Sequence, residues 1–130
     1  MPSYTVGVIR PFVAQHYLVG GDWGKENTRH SHPYRLEAIF EGDTLDRHGY
    51  LLDIAEVKRH LEELVDRFSD KTLNDLPEFA GLNPGLEPFA RIFAEGLASR
   101  LATSALGALT IKLWENDDAY ATCRLTFPGR

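Results

Sequence analysis

Two histidines separated by a single residue, His30 and His32, are the clearest sign of chemistry in this 130-residue sequence. Alternate side chains of a strand point to the same side, about 6.5 to 7 Å apart at Cα, so both rings can converge on one ion through bonds of roughly 2 Å. His16 lies on the inward face of an earlier predicted strand and would complete a site of three imidazoles. The alternative is a set of hydrogen-bonded histidines without a metal.

Glu115 is the second unusual residue, because it continues the apolar row of residues 109–113 as a carboxylate. A carboxylate on the inward side of a strand must be paired, bound to a metal or used to recognise a ligand, since burial of an unpaired charge is costly. A salt bridge to an arginine or lysine and recognition of a ligand are both open. We expect His48, in a turn, and His60, on the outer face of a helix, to be ordinary solvated residues.

The elements that must position these side chains follow from the spacing of apolar residues. Alternation predicts strands, and recurrence every three to four residues predicts helices. Asp53 with Glu56 predicts a capping box for the first helix, and Asn83 with Pro84 predicts the N-cap and first residue of the second. A polar, glycine-containing loop over residues 20–29 leads to His30. The predicted order is strand, strand, helix, helix, strand, strand, over residues 4–16, 30–41, 53–68, 83–101, 109–115 and 120–127.

Length and charge limit the classes of function. The chain fits one domain over residues 1–130, and 19 acidic against 14 basic residues give a net charge of −5, which argues against a general nucleic-acid binder. The sequence has no apolar run of membrane-spanning length and no signal-peptide pattern, so we expect a cytoplasmic protein without a membrane partner. The single cysteine, Cys123, excludes an internal disulfide and sits on an apolar face, where an inert thiol is expected.

Six short segments, in this order along nearly the whole chain, resemble the 6-pyruvoyl-tetrahydropterin synthase family. This family includes the bacterial 6-carboxy-tetrahydropterin synthases of queuosine biosynthesis. Their combination is far more specific than any one of them. The segments are residues 12–16, 30–34 and 49–54, Leu73-Asn74, Asn83-Pro84 with Glu87, and Trp114-Glu115.

The resemblance implies an α+β fold, the T-fold: an antiparallel four-stranded sheet with two helices on one face, in the order ββααββ. Copies join their sheets edge to edge into a barrel, commonly a trimer stacked into a hexamer, with sites between subunits. It also implies that His16, His30 and His32 hold zinc, with an open position for the hydroxyls of the substrate side chain. Glu115 matches the glutamate that anchors the pterin ring.

The sequence departs from the family at the residues that finish the reaction. Glu26 occupies the position of the catalytic cysteine, Ser69 and Asp70 occupy those of an aspartate–histidine pair, and Gly85 replaces a threonine that contacts the ring. Glu26 is either a catalytic base near the metal or a solvated loop residue. Asp70 either partners Glu26 or is a solvated acid that follows a helix.

A subclass of the family resembles this chain in having glutamate at the cysteine position, and it cleaves dihydroneopterin to 6-hydroxymethyl-dihydropterin. The sequence therefore predicts a zinc-dependent lyase for 7,8-dihydroneopterin or its triphosphate, with Glu26, Ser69 and Asp70 as catalytic candidates. The alternative is a catalytically divergent protein that binds a pterin without turning it over.

Overall fold

The computed structural model describes residues 2–128 and contains one antiparallel sheet of four strands in the order β1-β2-β3-β4. Two helices follow β2 in the chain, so the predicted order ββααββ and the α+β class are confirmed. The strands are β1 (Tyr4–His16), β2 (His30–Gly42), β3 (Ala108–Glu115) and β4 (Ala119–Thr126), and the helices are α1 (Ile54–Phe68) and α2 (Leu86–Arg100).

Both helices cover the same face of the sheet. Buried and exposed residues alternate along β1 and β2, as side chains of period two require. The strands pair so that Val8, Ala38 and Ile111 are in register, and all three are buried. The inward rows of the strands therefore form one apolar surface beneath the helices. The part of the chain described here contains no helix long and apolar enough to cross a membrane.

Helix α1 begins as the sequence predicts. Asp53 is the N-cap, and its carboxylate accepts hydrogen bonds from the backbone amides of Ala55 at 2.9 Å and Glu56 at 3.3 Å. The carboxylate of Glu56 does not complete the predicted capping box but lies 3.8 Å from Nε2 of His60. His60 is partly buried, whereas the sequence predicts a solvated residue. The helix buries an apolar stripe against the sheet, consisting of Val57, Leu61, Leu64, Val65 and Phe68.

The predicted start of α2 is wrong by two residues. Gly85 is the N-cap and Leu86 the first helical residue, whereas the sequence predicts Asn83 and Pro84 for these positions. The side chain of Asn83 is engaged elsewhere, because its amide makes two hydrogen bonds, at 2.8 and 3.1 Å, with the backbone of Val19. A contact between distant segments has overridden the local capping preference.

An aromatic cluster supports the end of the sheet where the histidines lie. Tyr34 stacks on Phe12 with ring centroids 5.1 Å apart and meets the edge of Phe89 at 5.3 Å. Such pairs contribute about 0.5 to 1.5 kcal/mol each beyond the area they bury. The ring of Phe89 is fully buried and contacts five others, those of Phe12, Tyr34, Phe68, Phe79 and Phe93. The core beneath the histidines is thus densely packed with aromatic rings.

Candidate metal and pterin site

The ends of β1 and β2 bring three imidazoles together. His16 is the register partner of His30, and His32 is paired with Ala14, so the three side chains share the inward face. Their ring centroids are 4.6, 4.6 and 4.7 Å apart, which is close to an equilateral triangle. His16 and His32 are buried, and His30 is partly buried. The geometry suits three ligands that converge on one ion.

The Nδ1 atoms of two histidines are held by backbone carbonyls. Nδ1 of His16 lies 2.9 Å from the carbonyl oxygen of Pro84, and Nδ1 of His30 lies 2.7 Å from that of Thr28. A carbonyl can only accept, so each Nδ1 carries the proton and donates it. The Nε2 atoms are then left with free lone pairs. Metal-binding histidines are commonly oriented in this way.

Two further side chains lie against the trio. The hydroxyl of Tyr34 is 3.2 Å from Nδ1 of His16, and the amide of Asn116 is 3.5 Å from Nδ1 of His32. Burial raises the pKa of Tyr34, with nearby Glu115 and Glu26 acting in the same direction, so its hydroxyl stays protonated. These contacts fix the orientation of the rings from outside the triangle.

The Nε2 atoms of His30 and His32 are buried and have no hydrogen-bond partner. Carboxylate oxygens are nevertheless close: Glu26 Oε2 lies 2.5 Å from Nε2 of His30, and Glu115 Oε1 lies 2.8 Å from Nε2 of His32. The oxygens therefore approach away from the direction that a ring N–H would need. Buried nitrogens without partners that face carboxylates are what a cation site requires.

One ligand atom from each of His16, Glu26, His30 and His32 lies within 4.8 Å of the other three, and no second group of this kind occurs within residues 2–128. Three imidazole nitrogens and a carboxylate oxygen are a donor set that zinc accepts in tetrahedral geometry. The residues present therefore fit a zinc ion, and these four could hold it.

Burial keeps His16 in the form that binds a metal. Desolvation, followed by the charges of His32 and His30, lowers the pKa of His16 to about 4. At neutral pH the His16 ring is thus uncharged. Neutral imidazole is the form that binds a metal.

Glu26 lies in a loop that is tied together by side chain–backbone hydrogen bonds. Its backbone carbonyl accepts from the amide of Leu18 at 2.8 Å, two residues after His16. The amide of Asn27 donates to the carbonyls of Leu18 and Gly21, both at 3.0 Å, and accepts from the backbone of Trp23 at 2.8 Å. The loop is therefore anchored to the end of β1.

Two asparagines hold the chain just beyond His16. The side chain of Asn74 bonds both the N–H and the carbonyl of Tyr17, at 3.0 and 2.9 Å. Asn83 does the same for Val19. Sequence reasoning noted these asparagines as motif residues but missed their function. An amide can pair with an extended backbone as a strand would, but sequence does not say which backbone it meets.

Glu115 ends β3 beside the trio. It is paired with Tyr34 in the sheet, and its side chain is 23% exposed. The nearest partner of its carboxylate is His32, not an arginine or a lysine. Of the two alternatives open from sequence, a conventional salt bridge to a basic residue does not describe this carboxylate. Its position is compatible with binding a ligand beside the histidines.

Ser69 and Asp70 are placed differently from the other predicted site residues. Ser69 is the C-cap of α1, and Asp70 follows it with φ of 60°, the left-handed conformation that often ends a helix. The Asp70 backbone N–H donates to the carbonyl of Val13 at 2.7 Å, and its side chain is exposed. The carboxylate of Asp70 is not among the ligand atoms grouped around the histidines.

The sheet, the two helices on one face and the histidines at the strand ends define a T-fold protein with a candidate metal site. The family model described as 6-pyruvoyl tetrahydropterin synthase matches residues 5–126, and the chain belongs to this family. A protein of Archaeoglobus fulgidus, provisionally named a 6-carboxy-5,6,7,8-tetrahydropterin synthase, is 28% identical over 120 residues, which cover 92% of this chain and 94% of the relative.

Solved structures show the same fold. The 6-pyruvoyl tetrahydropterin synthase of Caenorhabditis elegans matches with a TM-score of 0.82 and 24% identity, covering 97% of this chain and 98% of that one. A Plasmodium vivax 6-pyruvoyltetrahydropterin synthase matches with a TM-score of 0.79 and 13% identity, covering 98% and 100%. The P. vivax structure is described as a mutant in which a catalytic glutamate is replaced by alanine.

Proposed function

We propose that this protein is a zinc-dependent lyase that acts on 7,8-dihydroneopterin or its triphosphate, with side-chain cleavage to 6-hydroxymethyl-dihydropterin as the reaction. The observation that carries the proposal is the convergence of His16, His30 and His32, with buried and unpartnered Nε2 atoms on two of them. Membership of a family of pterin synthases supports the substrate class.

Each residue has a separate task in this proposal. The three histidines would hold zinc, which would supply a Lewis acid for a hydroxyl of the substrate side chain. Glu26 takes the proton as general base, and its carboxylate lies at the trio, 2.5 Å from Nε2 of His30. Glu115 accepts N–H hydrogen bonds from the pterin ring, and these bonds place the side chain of the substrate over the histidines.

The choice of Glu26 as base has support from outside the chain. The P. vivax relative is a 6-pyruvoyltetrahydropterin synthase described as having a catalytic glutamate. A carboxylate can therefore serve a protein of this fold where other members of the family use a cysteine. General bases of this kind contribute about 10²- to 10⁴-fold to a rate.

We propose secondary roles for Ser69 and Asp70 beside Glu26, in an assembly of several copies. Within one chain the Asp70 carboxylate is exposed and outside the group of ligand atoms. The sheet has an outer edge at each side, on β1 and on β4, where strands of other copies can pair. A trimer or hexamer with sites between subunits would place residues from two chains around one substrate.

A second candidate is a protein that binds a pterin without catalysis. The exposed position of Asp70, away from the grouped ligand atoms, favours it, since the reaction then depends on Glu26 alone within the chain. This candidate keeps the zinc site and Glu115 but predicts no product.

Incubation of the zinc-loaded protein with 7,8-dihydroneopterin and, separately, with its triphosphate tests the two candidates. We expect one compound to be consumed, with 6-hydroxymethyl-dihydropterin as the product of cleavage. Glu26→Gln should bind the same pterin but turn it over at least about 10²-fold more slowly. If chromatography of the two incubations shows that neither compound is consumed, while pterin binding is measurable, the second candidate, a pterin-binding protein without catalysis, is correct.

A further inference from the structure

Glu26 differs from Glu115 in how it meets the histidines. One oxygen of Glu26 lies within 4.8 Å of a ligand nitrogen on each of His16, His30 and His32, whereas Glu115 is 2.8 Å from His32 but outside that group. We infer that Glu26 is the fourth protein ligand of the metal in the substrate-free protein. The inference rests on the proposed zinc site and assigns Glu26 a task beyond that of a base.

The direction of the contact supports ligation over an ion pair. Glu26 Oε2 lies 2.5 Å from Nε2 of His30, yet that nitrogen makes no hydrogen bond. A histidine–carboxylate ion pair would place the oxygen along the N–H direction. Two ligands of one ion instead point their lone pairs at a common third point. Both Glu26 with His30 and Glu115 with His32 lack the aligned contact of an ion pair, but of the two carboxylates only Glu26 also lies in the group of four ligand atoms.

The loop anchors the backbone of Glu26 but leaves its side chain partly exposed to solvent. The Glu26 carbonyl is bonded to Leu18, and the Asn27 side chain makes three hydrogen bonds within the loop. The Glu26 side chain is 46% exposed, compared with 23% for that of Glu115. A substrate hydroxyl that binds the metal in place of Glu26 would therefore displace the carboxylate toward solvent. The anchored loop would keep the displaced carboxylate beside the substrate.

Competition with a chromophoric chelator at neutral pH measures the zinc affinity that this inference concerns. We expect Glu26→Gln to lower the zinc association constant by about 100-fold or more, since even residues that only orient ligands change affinity by 10- to 100-fold. Glu26→Asp keeps the charge but withdraws the oxygen, and it should lose nearly as much. Glu115→Gln is the matched control, with the same change of charge beside His32, and we expect a change of only a few-fold.

The visible spectrum of the cobalt-substituted protein gives a second measure, because its bands respond to the number and type of ligands. We expect Glu26→Gln to change the spectrum and Glu115→Gln to leave it as in the wild type. Equal losses of affinity in Glu26→Gln and Glu115→Gln, wild-type affinity in Glu26→Asp, or an unaltered cobalt spectrum in Glu26→Gln would each overturn the inference.

Neither measurement uses turnover, so the inference and the proposed function fail separately. A protein that consumes no pterin but shows the spectral change in Glu26→Gln loses the lyase assignment and keeps the fourth ligand. A protein that cleaves dihydroneopterin with an unaltered cobalt spectrum in Glu26→Gln keeps the lyase assignment and loses the fourth ligand.

Discussion

The histidine trio and the loop that carries Glu26 are two regions of one site with different physical support. The histidines sit at the ends of paired strands, above fully buried aromatic rings. Glu26 sits in a short 3₁₀ turn, Gly24–Asn27, that has no buried residue and is held by polar contacts. Three of the four proposed metal ligands are thus on the rigid part of the fold, and the carboxylate proposed to take the proton is on a part that can move.

This division predicts different consequences for changes in the two regions. Losses of the histidines on the strands should remove the metal and everything that depends on it. Changes that loosen the loop but keep Glu26 and the three histidines should leave zinc bound in the loaded protein and slow the chemistry.

Replacement of a strand histidine should abolish zinc retention. His16→Ala removes one of three converging nitrogens, and His30, His32 and Glu26 alone should not hold the ion through gentle purification. Metal analysis of the purified protein checks this. His60→Ala is the matched control, because His60 lies on α1 between Glu56 and Glu63 and should keep the wild-type zinc content. Full zinc in His16→Ala would show that the trio is not the metal site.

Release of the loop should slow turnover by about 100-fold while zinc stays bound. Asn27→Ala removes three hydrogen bonds that fix the turn next to Glu26, and a displacement of about 1 Å at a reacting group can cost this much. We expect the loss in kcat rather than in KM, measured with zinc-loaded protein. Lys25→Ala, on the exposed surface of the same turn, is the control and should behave like the wild type.

Loss of zinc from Asn27→Ala in proportion to its loss of activity would contradict the division of tasks. The loop would then be part of the metal site's rigid support, as the strands are. Retained zinc with a lowered kcat would agree with a loop that positions Glu26 for catalysis.

The strand-borne histidines were predictable from sequence because they depend on a local rule. Alternation along one strand places His30 and His32 on one side, and it places His16 on the inward face of another strand. Asp53 as the cap of α1 follows a local rule too. Such features survive folding because no distant contact competes with them.

The contacts that hold the chain just beyond His16 were not predictable, since they join segments far apart in the chain. Asn74 meets Tyr17 across 57 residues, and Asn83 meets Val19 across 64. Nothing in the neighbourhood of either asparagine specifies its partner. The same long-range contact explains the wrong prediction for the start of α2, where Asn83 looked like a cap. Long-range polar contacts limit sequence reasoning here.

Replacement of the carboxylate of Glu115 should affect the substrate and spare the metal. Glu115→Gln should weaken pterin binding by about 10- to 100-fold, because a hydrogen bond to a charged group is worth about 1.5 to 3 kcal/mol. Calorimetric titration of the zinc-loaded variant with a pterin measures this. The zinc content should stay at the wild-type value, since Glu115 lies outside the grouped ligand atoms. Unchanged pterin affinity would remove Glu115 from the substrate site.

Acid should destabilise the metal-free protein through His16, the smallest effect of the four. Burial lowers the pKa of His16 from 6.5 to about 4 in the folded chain. Between these values the unfolded chain binds a proton that the folded chain does not, so the free energy of unfolding falls as the pH drops from about 6.5 toward 4 and levels off below. Denaturant unfolding of chelator-treated protein across this range measures the slope.

The comparison variant is His16→Gln, which cannot titrate at this position. Its free energy of unfolding should fall less steeply over the same pH range, because the other acid-sensitive groups of the chain remain in both proteins. The difference between the two curves isolates His16. Parallel curves would mean that the folded protein protonates His16 as easily as the unfolded chain does. The strand ends would then be far more hydrated than the 3% exposure of His16 indicates.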